Sequence, residues 1–116
     1  MPNVQLKRVY QAADPADGKR VLVDRLWPRG MTKAEAKVDL WLKEVGPSAD
    51  LRRWFGHKPE RWAEFRRRYR EELKGNPALN QLEAIAAEGR TTLVYGAKDQ
   101  AHNQAVVLAE LLGAKP

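Results

Sequence analysis

A continuous apolar run, Val21-Leu22-Val23, constrains this chain more than any other stretch of it. Uninterrupted aliphatic and β-branched runs suit strands covered on both faces, as in a parallel sheet packed between layers. A strand is therefore expected over residues 20–26, ended by Pro28 and Gly30. A second run of the same kind, Thr-Thr-Leu-Val-Tyr, occupies residues 91–95. Residues 4–10 read as a further strand. Asp14-Pro15-Ala16-Asp17-Gly18 is turn chemistry, because proline presets φ and glycine permits positive φ. Residues 38–45 are ambiguous. Val38, Leu40 and Leu42 alternate like a strand, while Trp41 and Val45 also fit helical spacing, and a strand is the preferred reading.

The segments between the strands read as helices. Thr32-Lys33-Ala34-Glu35 is a capping-box pattern that starts a short helix. Ser48 caps a helix carrying Leu51, Trp54 and Phe55, and Pro59 stands at a first helical position. Trp62, Phe65, Tyr69 and Leu73 recur at amphipathic spacing, which predicts that Trp62, Phe65 and Tyr69 face the core while Arg61 and Arg68 are solvated. Glu64/Arg68, Arg67/Glu71 and Arg68/Glu72 can pair at helical spacing. Gly75 ends this helix. Asn76-Pro77 starts the next, with Leu79, Leu82 and Ile85 inward and Gly89 at its end. Residues 105–112 are apolar nearly all round and form a buried closing helix. Buried strands separated by helices predict an α/β fold: a single layered domain over residues 1–116, with a small, largely parallel sheet flanked by helices.

Composition removes several chemistries. With no cysteine there is no disulfide, thiolate nucleophile or thiolate metal site, and a reducing cytoplasm fits. No apolar h-region or 18-residue apolar run occurs, so neither a signal peptide nor a membrane span is expected. His57 and His102 are the only histidines, so no metal site is expected. No cofactor is expected either, because neither Gly-rich nucleotide fingerprint occurs. The chain carries a net charge of +6. Residues 51–70 hold eight basic residues and two acids, an excess equal to that of the whole chain. Such a field attracts anions.

In parallel sheets, ligands bind beyond the carboxyl ends of the strands. Two polar loops follow the two buried runs: Asp24-Arg25-Leu26-Trp27-Pro28-Arg29-Gly30, and residues 96–103 with Lys98, Asp99, His102 and Asn103. If the strands are neighbours, Arg25, Arg29 and Lys98 converge on one rim near the start of the last helix. The candidate ligand-binding residues are Arg25, Trp27, Arg29, Lys98, His102 and Asn103. His102, His57, Asp99 and Asp24 are the candidate acid–base groups. Structural roles stand beside these: Arg25 pairing with Asp24 or Asp39, Asp99 capping the last helix, His102 lying on the surface.

The segments Val21-Leu22-Val23-Asp24-Arg25-Leu26-Trp27-Pro28-Arg29-Gly30, Asp39-Leu40-Trp41 with Lys43-Glu44, Pro47-Ser48, Leu51-Arg52, Trp54-Phe55 with His57, Trp62, Phe65, Tyr69, and Thr92-Leu93-Val94-Tyr95 with Ala97-Lys98-Asp99 and His102-Asn103 follow in an order that resembles the YeaO-like family of uncharacterised bacterial proteins (domain of unknown function 488). The resemblance covers nearly the whole chain. It implies a compact α/β domain in the bacterial cytoplasm and supplies no activity. Other branches of the wider family look as though they carry cysteines around the positions of Tyr95 and Ala101, so a thiol-based role does not transfer to this chain. The family's recurrent polar positions match Asp24, Arg25, Arg29, Lys98, Asp99, His102 and Asn103.

Three functions stay open on the sequence. One is a protein, enzymatic or not, that binds a small phosphate- or carboxylate-bearing ligand in a basic pocket at the strand ends. The second is a nucleic-acid-binding protein that uses the Arg-rich segment 51–70 with its interleaved aromatics. The third is a non-catalytic module for a protein partner. No membrane partner is expected.

Overall fold

The computed structural model describes residues 3–113. Four strands, β1 (Val4–Arg8), β2 (Lys19–Leu22), β3 (Leu40–Trp41) and β4 (Thr91–Tyr95), form one sheet in the order β1-β4-β2-β3. Every pairing is parallel, and Val21 lies opposite Leu93. The two apolar runs are therefore neighbours, as expected, and all five residues of β4 are buried. Five helices complete the α/β fold: α1 (Lys33–Ala36), α2 (Ala49–Phe55), α3 (Trp62–Leu73), α4 (Pro77–Glu88) and α5 (Gln104–Leu111). No described helix is long and apolar enough to cross a membrane.

Period-two alternation divides the sheet's residues between two faces. Val21, Val23, Leu93 and Tyr95 join the main core with Leu51, Phe55, Phe65, Tyr69 and Leu82 and the buried side of α5. Leu22 and Val94 point the other way, onto Val9 and Ala36, with Trp27, Met31 and Val38 packed around them. That second face also buries an ionic cluster. Asp17 and Arg20 are nearly inaccessible and 2.7 Å apart, and Lys7 lies 3.2 Å from the same carboxylate. Burial pulls the Asp17 pKa up, but the Asp14 N–H and the Lys7 and Arg20 side chains outweigh it and hold the group below its ordinary value.

The capping signals act as the sequence predicts. Thr32 and Glu35 form a reciprocal capping box, Ser48 accepts from the Leu51 N–H, and Asn76 accepts from the Ala78 N–H ahead of Pro77. Several boundaries differ. The strand expected over 20–26 pairs only to Leu22, with one further bond from the Val23 N–H to the Val94 carbonyl at 3.0 Å, because Asp24 then turns to serve the neighbouring loop. The strand expected over 4–10 stops at Arg8, where the Gln11 N–H turns back onto the Arg8 carbonyl. The strand expected over 38–45 shrinks to Leu40–Trp41. Once the Leu42 N–H has bonded the Leu22 carbonyl, β2 has ended and no partner remains, so Lys43–Val45 coils into a 3-10 turn. Pro59 opens a 3-10 turn, Pro59–Arg61, ahead of α3.

On α3, Phe65 and Tyr69 are buried, but Trp62 is only half-buried, at the margin of the core. Arg61 and Arg68 are not freely solvated: both guanidinium groups lie over the Trp54 ring, and Arg61 also donates to the Trp54 carbonyl. Glu64 pairs with Arg68 as expected and with Arg67 as well. Glu71 takes Lys74 instead of Arg67, and Glu72 accepts from the Ser48 N–H and hydroxyl instead of pairing with Arg68.

The buried Tyr69 hydroxyl donates to the Val45 carbonyl at 2.5 Å, tying α3 to the 3-10 turn. Tyr69→Phe strands that carbonyl without a donor. It is expected to cost about 1–3 kcal/mol in urea unfolding, and a neutral result would show that solvent reaches the turn.

Candidate functional site

The parallel register sets the site. Leu22 lies opposite Val94, so the chain leaves β2 and β4 at nearly the same level. The first residue past the ladder on β2, Asp24, accepts the Gly96 N–H on Oδ2 at 2.9 Å. Its Oδ1 accepts from the Gln104 side-chain amide, at the first turn of α5. One carboxylate thus fastens both loops and the last helix. The contact is close: a Cβ on Gly96 would meet Asp24 Oδ2 at 2.9 Å, and one on Gly46 would meet the Arg25 backbone N at 2.8 Å. Glycine at both positions lets the loops pack this tightly.

Over this fastening lies a cleft of about 340 Å³ whose walls include Asp24, Arg25, Trp27, Arg29, Arg52, His57 and Gln104. Arg25 donates through Nη2 to the Gly46 carbonyl at 2.8 Å, and its Nη1 stands 3.7 Å from Glu44. It pairs with neither Asp24 nor Asp39; Asp39 accepts the Arg20 N–H instead. Among the described residues, the Nε atoms of Arg25 and Arg52 are both buried without a hydrogen-bond partner. Arg29 is exposed at the rim, and its carbonyl accepts the Tyr10 hydroxyl. Trp27 donates to the Met31 carbonyl and packs edge-on against Trp41, 5.3 Å between ring centres. His57, in left-handed backbone at φ 56°, follows Gly56 at φ 54°, so the chain doubles back at the end of α2. Burial raises the Asp24 pKa to about 6 against the opposing pull of the Gly96 N–H, Gln104, Arg52 and His57.

A second hollow of about 300 Å³ adjoins the first and shares Pro47, Arg52, His57 and Gln104 with it. His102 and Asn103 line it with Phe55 and Phe65. Asp99 does not cap α5. It accepts the Ala101 and His102 N–H groups on one oxygen and meets His102 Nδ1 at 2.9 Å with the other. The His102 bond, with help from the Ala101 N–H, holds the Asp99 carboxyl below its ordinary pKa. With Nδ1 turned to Asp99, His102 keeps Nε2 for another partner. Its ring stands edge-on to Trp62. The cap of α5 is Asn103, which accepts from the Val106 N–H and donates to the Asp99 carbonyl; being almost fully buried, it positions the helix.

The expected convergence is therefore partial. Arg25, Trp27 and Arg29 share the cleft, His102 lies in the adjoining hollow, and Lys98 is exposed and lines neither. Among the described residues, no three His, Asp or Glu side chains gather in a way that could hold a metal ion.

The family profile described as "Inactive DUF488-N3 subclade" matches residues 3–115. The chain belongs to the DUF488 family. It is 45% identical over 112 residues to an uncharacterised protein of Mycobacterium tuberculosis, with 97% of this chain and 95% of that protein covered. It is 44% identical over 111 residues to the uncharacterised protein YeaO of Escherichia coli, with 95% and 96% covered. No solved structure matches the chain.

Arg52 and Gln104 are wall residues that the loop argument did not select. Arg52 follows buried Leu51 and precedes buried Phe55 on α2, so its stem is drawn toward the core edge while its head reaches the cleft. In the sequence it is only one member of a basic stretch. Five arginines of that stretch share three carboxylates in the fold. Arg66 and Arg70 pair with Glu110 of α5, Arg67 and Arg68 with Glu64, and Arg53 with Asp50, while Arg61 packs on Trp54.

The folded protein holds the Asp24 proton more tightly than the unfolded chain does. This group's contribution to stability is therefore present in acid and lost as the pH rises from about 4 to about 6. The rise to about 6 corresponds to at most about 3 kcal/mol. Urea unfolding of the protein and of Asp24→Asn across this window is expected to give curves whose difference slopes with pH and flattens above about 6. A flat difference throughout would mean that Asp24 is solvated.

Proposed function

We propose that the protein, acting as one α/β domain over residues 1–116, binds a small phosphate- or carboxylate-bearing ligand in the cleft beyond β2 and β4. The observation that carries this reading is Arg52. Its Nε is buried in the cleft wall with no acceptor, and among the described residues its guanidinium makes no hydrogen bond. A guanidinium that lines a cleft with none of its donors paired presents the accessible ones to whatever acceptor enters. Arg25 repeats the pattern with its own Nε. Arg29 and His57 add to the same cleft, where the one carboxyl, Asp24, stands against three arginines. Guanidinium forks suit carboxylate and phosphate oxygens.

The matched subclade is described as inactive, and the chain has no cysteine. The description favours retention of a ligand over its turnover, and the missing cysteine removes a thiol nucleophile. His102, which lines the adjoining hollow and is held by Asp99, then serves as a polar contact for a ligand that extends past Arg52. Five of the 51–70 arginines are held by Asp50, Glu64 and Glu110, so a nucleic-acid backbone would have to compete with those carboxylates for them. The family resemblance points to the bacterial cytoplasm as the setting.

Inorganic phosphate is expected to raise the melting temperature at constant ionic strength. Stabilisation should reach about 2.7 kcal/mol at a hundredfold excess over Kd. Arg52→Gln should abolish the rise, and Lys98→Gln, outside both hollows, should preserve it. Scanning calorimetry decides the matter: no rise in the unaltered protein, or one that survives Arg52→Gln, removes the reading.

A further inference from the structure

The cleft contains a group that an indifferent anion trap would not have. Asp24 stands among Arg25, Arg29 and Arg52, and its carboxylate forms part of the wall. One oxygen accepts from the Gly96 N–H and the other from Gln104. Each carboxylate oxygen has room for two hydrogen bonds, so each keeps a lone pair. Arg52 and His57 are the basic groups that act on it across the cleft. An ionised carboxylate has no proton to give, so whatever rests against Asp24 must bring its own.

We infer that the cleft selects an oxyanion carrying its own hydrogen-bond donor, such as hydrogen phosphate or a hydroxyl-bearing anion, and rejects one of the same charge and shape that has none, because Asp24 stands among the arginines as an acceptor. This inference rests on the cleft being an anion site. For the favoured class, the arginines take the bare oxygens and the O–H donates to Asp24. For the rejected class, a bare oxygen faces a carboxylate. That juxtaposition loses a hydrogen bond and adds like-charge repulsion in a partly desolvated space, which is how a binding site discriminates by building in a penalty. The selectivity belongs to the ionised state of Asp24, which prevails well above pH 6.

Sulfate and phosphate separate the two classes. Near pH 8 both are tetrahedral dianions, and phosphate alone retains an O–H. Isothermal titration of the unaltered protein at that pH is expected to show phosphate binding at least about tenfold more tightly than sulfate, the ratio that one net hydrogen bond supplies. In Asp24→Asn the side-chain amide can donate, so sulfate affinity should rise and the ratio collapse toward one. Equal affinities in the unaltered protein overturn the inference and leave the anion site standing. A preference that persists in Asp24→Asn overturns Asp24 as its origin. Binding of neither anion overturns the anion site and the inference together. If Asp24→Asn does not fold, the ratio in the unaltered protein still decides.

Discussion

β4 holds the molecule together, because both of its edges are taken. β1 pairs along one side and β2 along the other, in parallel and over nearly its whole length. A strand in that position cannot slip by one residue without turning Leu93 and Tyr95 out of the main core and Val94 into it. The register fixes the level at which β2 and β4 release their chains, and so sets Asp24 opposite Gly96. The cleft is a consequence of strand pairing before it is a consequence of any side chain.

The polar residues in and around the cleft divide into those that build it and those left over. Asp24, Gln104, Asn103 and Asp99 bond one another, backbone groups and, for Asp99, the His102 ring. Arg25 is half committed, holding Gly46 while its Nε goes without a partner. Arg52 is uncommitted. This gradient from scaffold to unpaired donor is not expected of a merely polar surface, where every group is satisfied by water.

Much of the frame was legible in the amino-acid order, for local reasons. The runs at Val21 and Thr91 are apolar enough to require cover on both faces. Thr32, Ser48 and Asn76 are caps because side-chain oxygens reach N–H groups two or three residues ahead, which needs no knowledge of the rest of the fold. Asp24, Arg25, Trp27 and Arg29 were legible as wall residues because strand ends place loops. Arg52, His57 and Gln104 join them through the docking of α2 and α5 on the sheet, a long-range event with no periodic signature. The reading of Lys98 as part of the rim failed because Asp99 folds its loop through the Ala101 and His102 N–H groups and leaves Lys98 in solvent. The strand read over 38–45 failed because its length depends on how far β2 runs, which no property of those eight residues encodes.

Strand order also decides which backbone edges the sheet leaves open to a neighbouring chain. With β4 and β2 in the middle, the open backbone edges belong to β3 and β1. β3 offers only two residues as a template for a foreign strand. β1 is longer, but it carries Lys7, drawn across to Asp17, and Arg8, drawn across to the carbonyls of Gly96 and Ala97. Short edges and charged side chains on edge strands are the devices by which sheets discourage edge-to-edge growth. The two sequences with the highest intrinsic tendency to form cross-strand stacks are enclosed, and the fold withholds them from its neighbours for as long as it stays intact.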